Sequence, residues 1–275
     1  MYEPHWKLER APFDQDFRAE SFYAGSLHGE AVVKLGYLIE HGKGAAVLIG
    51  ASGTGKTHVL EMIRQESVPL RPVVHLVYPQ LSPQEMAAYL IHELCDGSPE
   101  FNTPSAGFDV LLRTFAARLR EFTAAGCPPV ILLDDAHLIE DRRVFQMLHQ
   151  LMNFQQPGRT NFSLIFAGQP ELMEKLQSSA PFADRIAFHC LLKSLTASET
   201  AEYVTHRLKS AGRMELIFDR AAMRVIFELT AGIPRRINRL CDFALLVGFA
   251  NQSERILANQ IENVHGEIHH SNIAA

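Results

Sequence analysis

The chain has 275 residues, 47% of them hydrophobic and 21% charged, which excludes a disordered or fibrous protein and supplies enough apolar side chains for one large core or a large and a smaller one. A formal charge of -5 and a pI near 6.2 give no overall field toward nucleic acid or an anionic membrane, so either kind of binding would need a local patch. Cys95, Cys127, Cys190 and Cys241 form no C-x-x-C pair and read as reduced core residues. The opening Met1-Tyr2-Glu3-Pro4-His5-Trp6 lacks the pattern of a signal peptide, and no apolar stretch is long enough to span a bilayer; these features predict a cytoplasmic chain with no membrane span.

Residues 1–27 mix aromatics, prolines and charges (Trp6, Pro12, Phe13, Phe17, Phe22, Tyr23) without a helical or strand period. Such a segment packs on something, either an adenine ring or the domain surface as a strap. From 28 to 40 the positions Ala31, Val32, Leu35, Leu38 and Ile39 share one helical face, and Gly42-Lys43-Gly44 ends that helix.

The apolar run Ala45-Ala46-Val47-Leu48-Ile49 reads as a buried parallel strand, and His58-Val59-Leu60-Glu61-Met62-Ile63 as a helix. Between them lies Gly50-Ala51-Ser52-Gly53-Thr54-Gly55-Lys56-Thr57, with the spacing G-x-x-x-x-G-K-[ST]. Glycines let the backbone curl so that successive N–H groups point inward, and a helix starting near Lys56 adds its positive dipole end. Polyphosphate would sit in that nest, held by residues 50–57 together with His58. Lys56 would reach the β- and γ-phosphates, and the Thr57 hydroxyl would take one corner of a magnesium shell.

Pro69 and Pro72 mark a break before a second strand at 73–78, where His75 reads as a satisfied core histidine. Ser82-Pro83-Gln84-Glu85 is a capping box with proline at the first helical position, opening a helix to about Cys95. A loop at 96–107 and a helix at 108–124 follow. The run Val130-Ile131-Leu132-Leu133 then ends in Asp134-Asp135. Asp134, at the carboxyl end of a buried strand, would hold magnesium through water beside Thr57. Asp135 would orient and deprotonate the attacking water; alternatively the two acids cap the next helix.

A helix is expected over 141–155, a turn at Pro157-Gly158 and a strand over 162–167 that delivers Gln169. Gln169 would bond the γ-phosphate or the lytic water, or serve only as a turn residue. After a last strand at 186–192 the pattern turns wholly helical, starting from a second capping box at Thr196-Ala197-Ser198-Glu199. Alternating strands and helices predict an α/β parallel sheet with helices on both faces. The predicted division is a strap at 1–27, a nucleotide-binding domain at 28–195 and a small all-helical lid at 196–275.

The loop at 50–57, Asp134-Asp135-Ala136-His137, Gly168-Gln169-Pro170-Glu171-Leu172, Asp184-Arg185-Ile186 and Gly232-Ile233-Pro234-Arg235 together resemble an AAA+ ATPase of the P-loop NTPase class. More closely they resemble the ExeA/GspA branch, as do Met1-Tyr2, Pro12-Phe13 and His28-Gly29-Glu30-Ala31, and that branch is related to transposition regulators of the TniB and TnsC kind. The resemblance covers nearly the whole chain. It implies ATP and Mg2+ as ligands and a homo-oligomer, ring or filament, as the working form. It also implies that Gln169 is the first sensor, Arg185 an arginine finger offered to a neighbouring subunit, and Arg235 the second sensor on the lid.

Two departures stand out. Where the family usually has glutamate, Asp135 is shorter by one carbon, about 1.5 Å of reach, so hydrolysis is expected to be slow. Secretion members continue into a membrane span and a periplasmic part, whereas this sequence stops at Ala275, an ending that favours the other roles. The candidate roles are a secretion-type ATPase acting on a protein partner, a regulator that assembles on duplex DNA to license a transposase, and a nucleotide-dependent interaction protein with little turnover. Arg207, Lys209, Arg213, Arg220 and Arg224, with Arg142 and Arg143, form the candidate phosphate-tracking face for the DNA role.

Overall fold

The structure, a computed structural model, describes residues 1–14, 16–95, 107–152, 161–177 and 180–271. The predicted loop before Gly107 and the Pro157-Gly158 turn lie outside the described residues. Five strands, β1 (Ala45–Gly50), β2 (Val73–Leu76), β3 (Val130–Leu133), β4 (Ser163–Gly168) and β5 (Ile186–Leu192), form one sheet in the order β2-β3-β4-β1-β5. Every pairing is parallel. β1, β3 and β4 are buried at every position, which is why their sequences are continuous apolar runs with no alternation.

Helix α1 (Ser26–Glu40) precedes β1, and helices α2 (Lys56–Ser67), α3 (Pro83–Leu94), α4 (Phe108–Ala124), α5 (Arg142–Met152), α6 (Glu171–Gln177) and α7 (Ala180–Ala183) lie between successive strands. The chain leaves β1 for the far edge strand β2, returns through β3 and β4, then crosses β1 to form β5. The order therefore reverses beside β1, and in open α/β sheets ligands bind outside the carboxyl ends of strands at such a switch. The predicted strand at 73–78 is shorter than expected: it ends at Leu76, because its partner β3 ends at Leu133 and the next amide, of Asp134, bonds the Leu76 carbonyl at 2.9 Å. Val77 and Tyr78 are exposed.

Residues 29–52 and 56–192 form one compact unit; residues 1–28, 53–55 and 193–275 form another. The second contains α8 (Ala197–Ser210), α9 (Arg220–Thr230), α10 (Pro234–Ala250) and α11 (Ala258–Ser271). Its core takes in Tyr2, Trp6, Leu8 and Phe13 beside Val204, Ile226 and Leu245. Trp6 donates its indole N–H to the Leu245 carbonyl at 2.9 Å, and the Tyr2 hydroxyl donates to Asp242. Tyr2, Trp6 and Phe13 are thus interior side chains of the helical unit rather than an exposed platform for a base.

Both predicted capping boxes are present. The Ser82 hydroxyl accepts from Glu85 N while Glu85 accepts from Ser82 N, and Thr196 and Glu199 repeat the exchange, each cap contributing about 1 kcal/mol. The cysteines are free, with Cys95, Cys190 and Cys241 buried and Cys127 partly so. Among the described residues no helix is long and apolar enough to cross a membrane.

Candidate functional site

In the α/β unit, β1 ends at Gly50 and α2 begins at Lys56, so the glycine-rich segment is a strand-to-helix turn. Lys56 is buried, 6% exposed, and its Nζ donates to the carbonyls of Gly50 at 2.9 Å and Ala51 at 3.1 Å. Thr57 Oγ1 donates to Asp134 Oδ2 at 2.7 Å, joining the start of α2 to the end of β3. The other Asp134 oxygen accepts from Asp135 N at 2.9 Å, and the residue is 2% exposed. A hydroxyl and a carboxylate oxygen held side by side fit Mg2+, a hard cation that completes its shell with water and substrate phosphate.

The loop tip belongs by contact to the helical unit. Gly53 and Gly55 have φ of 81° and 100°, where a side chain would be strained. A Cβ on Gly53 would lie 2.9 Å from Arg235 Cβ, and one on Gly55 3.0 Å from His28 Nε2. Arg235 N donates to the Gly53 carbonyl at 3.2 Å, and buried His28 bonds the Thr54 carbonyl through Nε2 at 2.7 Å. Thr54 is buried, Ala51 and Ser52 are exposed, and His58 is half-buried in the first turn of α2. In the sequence His28 marks a helix start and belongs to the His28-Gly29-Glu30-Ala31 resemblance, but its contact with the loop has no local signal.

Asp135 sits in the left-handed region (φ 44°, ψ 35°) at the start of a 3-10 turn over Ala136–Leu138, and its side chain makes no capping bond. The carboxylate is half exposed, with Oδ1 3.8 Å from His137 Nδ1. His137 Nε2 is 2.9 Å from the Gln169 amide nitrogen. Lys175 Nζ donates to the carbonyls of His137 and, at 2.9 Å, Ile139. Gly168 allows this: a Cβ there would come within 3.2 Å of His137 N and 2.8 Å of Leu172 Cδ2. Lys56, Thr57 and Asp134 thus form one group, and Asp135, His137 and Gln169 a second, tied to the first where Asp135 N donates to Asp134 Oδ1.

Arg185 is half-buried in the turn that leads into β5, and Arg235 is exposed at the first turn of α10. The proposed cationic face does not survive intact. Arg207 is 3% exposed and donates Nε to the Pro12 carbonyl at 2.6 Å and Nη2 to that of Asp14 at 2.7 Å, so it binds the opening segment instead of facing solvent. Arg213 pairs with Glu215 at 2.8 Å, and Arg143 with Asp141 at 2.7 Å. Lys209, Arg220 and Arg224 remain exposed.

His75, expected to be a satisfied core histidine, is half-buried on the edge strand, and its buried Nε2 has no hydrogen-bond partner. Burial pushes the pKa of His75 below its ordinary 6.5, against the raising effect of the Asp134 and Glu61 carboxylates. Burial also lowers His28, opposed by its bond to Thr54, and lowers His206 with help from Arg207. These imidazoles bind protons less readily folded than unfolded. The stability they contribute is complete above about pH 6.5 and is lost as pH falls from there through their lower folded values. Glu61, Glu85 and Glu199, all lowered chiefly by hydrogen bonds, act in the same sense only below their ordinary 4.5. The melting temperature is therefore expected to fall as pH is lowered from about 7 to about 5, where the histidines dominate. A flat Tm across that interval would contradict the burial argument.

The AAA domain family matches residues 39–176. General secretion pathway protein A of Aeromonas hydrophila is 32% identical over 274 residues, covering 98% of this chain and 47% of that protein. The chain thus spans about half the length of the curated relative it matches. Among solved structures, the Aeropyrum pernix ORC2 protein in ADPNP-ADP complexes aligns with a TM-score of 0.71 and 13% identity, over 94% of this chain and 72% of that one. The Thermotoga maritima RuvB Holliday junction branch migration motor gives 0.60 and 20%, over 87% and 68%. Drosophila ORC bound to DNA gives 0.66 and 14%, over 97% and 65%. At such identities the likeness is one of fold, and it agrees with the predicted P-loop α/β class.

Proposed function

The chain belongs to the AAA domain family, and from that premise we propose that it is a cytoplasmic ATPase that binds ATP with Mg2+ and works as an oligomeric, nucleotide-controlled switch. The observation that carries this reading is the 2.7 Å bond between Thr57 and Asp134, which brings the phosphate-loop hydroxyl and the strand-end carboxylate together. When bound, Mg2+ would be held by these two side chains and would neutralise charge on the phosphates. Lys56 exchanges the Gly50 and Ala51 carbonyls for phosphate oxygens. Asp135, half exposed and free of a capping duty, orients the attacking water and accepts its proton. Gln169 fixes the γ-phosphate or that water, and Arg235 acts as the second sensor beside the loop tip.

The similarity over 98% of the chain to a secretion pathway protein supports a protein partner of a secretion-type assembly. Similarity to DNA-bound ORC is one of fold alone, and burial of Arg207 weakens the cationic face that duplex DNA would need. DNA binding measured at two salt concentrations separates the readings: affinity that falls steeply with salt would favour the transposition role.

Asp135→Asn tests the chemistry. It is expected to keep ATP affinity within about twofold and to lose turnover by roughly 10²- to 10⁴-fold, the range for removal of a general base. Asp135→Glu, which restores about 1.5 Å of reach, is expected to hydrolyse faster than the parent. Equal steady-state rates for parent and Asp135→Asn would remove Asp135 from the mechanism.

A further inference from the structure

His137 joins two groups that the proposed chemistry uses, and no role has yet been given to it. Its ring is largely buried, with a side-chain exposure of 12%. The Gln169 amide is oriented with its nitrogen 2.9 Å from Nε2; in that orientation the amide donates, Nε2 accepts, and the ring proton is assigned to Nδ1. Nδ1 is buried, has no hydrogen-bond partner, and lies 3.8 Å from Asp135 Oδ1. That spacing is too long for a hydrogen bond and short enough to become one by rotation of the Asp135 side chain. A buried N–H without a partner is costly, and the carboxylate is the group that can relieve the cost.

The surroundings hold the imidazole in this place. Lys175 ties the carbonyls of His137 and Ile139 to α6, and the turn rests on Gly168, where a Cβ would meet His137 N at 3.2 Å. Gln169 follows that glycine directly, so a shift of Gln169 toward a bound phosphate is transmitted to the ring it bonds.

We infer that His137 is a positioning residue that couples Gln169 to Asp135, donating from Nδ1 to the carboxylate so that the second oxygen faces the attacking water. The coupling offsets the shorter reach of aspartate at this position by fixing its direction. It rests on the proposed ATPase reading, since the water and the γ-phosphate belong to that reaction.

The test combines turnover with a readout that needs none. His137→Ala is expected to lower kcat roughly 10- to 100-fold, the scale for loss of a group that orients a reacting one, with nucleotide affinity within about twofold. His137→Asn, whose amide nitrogen can occupy the Nδ1 position, is expected to recover much of that loss. In an Asp135→Asn background His137→Ala is expected to add no further loss, because the two act as one unit. Independent, multiplying losses, or an affinity defect with unchanged kcat, would overturn the coupling. Imidazole nitrogen shifts of the full chain give the tautomer directly: a protonated Nδ1, disturbed by both Asp135→Asn and Gln169→Ala, supports the inference, and a protonated Nε2 overturns it. A chain that binds ATP without hydrolysing it would end the ATPase reading, and the tautomer measurement would still decide the role of His137.

Discussion

Lys56→Ala is expected to abolish tight ATP binding and, with it, all hydrolysis. Lys56 is buried at the start of α2, and its ammonium is held by two carbonyls of the same loop. A cation confined this way is preorganised: little rotamer freedom remains to be lost when phosphate oxygens replace the carbonyls. Truncating one partner of a buried, hydrogen-bonded charge pair typically costs about 2–5 kcal/mol, or roughly 30- to 4,000-fold in affinity. Titration with a fluorescent ATP analogue reads the loss. The far-UV circular dichroism should stay unchanged, because the strand-to-helix turn is also set by the positive φ of Gly53 and Gly55. Unaltered nucleotide affinity in the variant would remove the phosphate site from residues 50–57.

Much of this arrangement was legible in the sequence because its signals are local. The strands that flank the candidate site are buried at every position, so their apolar runs end where the candidate residues begin, at Gly50, Asp134 and Gln169. Capping residues located α3 and α8 for the same reason: the Ser82–Glu85 and Thr196–Glu199 exchanges span four consecutive residues. Contacts across long stretches of sequence were not legible. Arg207 lies in a helix with charged neighbours and reads as a solvent cation, yet it is buried against Pro12 and Asp14, 195 and 193 residues away. His28 under the loop tip and His137 against Gln169 are of the same kind, since neither has a pattern that distinguishes a bridging imidazole from an ordinary one. Val77 and Tyr78 failed differently. Their β-branched and aromatic side chains favour a strand, but the partner strand had ended.

Arg185→Ala is expected to remove hydrolysis and ATP-promoted assembly while leaving ATP binding by an isolated protomer nearly intact. The sheet supplies the reason. β5 runs parallel to β1, with Ile186 paired to Ala45 at one end and Leu192 to Gly50 at the other. Arg185 precedes Ile186, whereas the phosphate loop leaves from Gly50, so the two lie at opposite ends of strands that are roughly 20 Å long at 3.3 Å per residue. That distance exceeds the span of an arginine side chain, which supports service to a neighbour's nucleotide and not to its own. A guanidinium placed on the transferring phosphoryl group is worth on the order of 10³- to 10⁵-fold in rate, and a loss of that size is expected in the variant. Turnover of the parent should rise with protein concentration. Mixing Arg185→Ala with Lys56→Ala should restore part of the activity, because a mixed interface joins the intact phosphate loop of one subunit to the intact arginine of the other. Hydrolysis by Arg185→Ala at the parent rate, with no dependence on concentration, would overturn the assignment in trans and the expectation of an oligomer that rests on it.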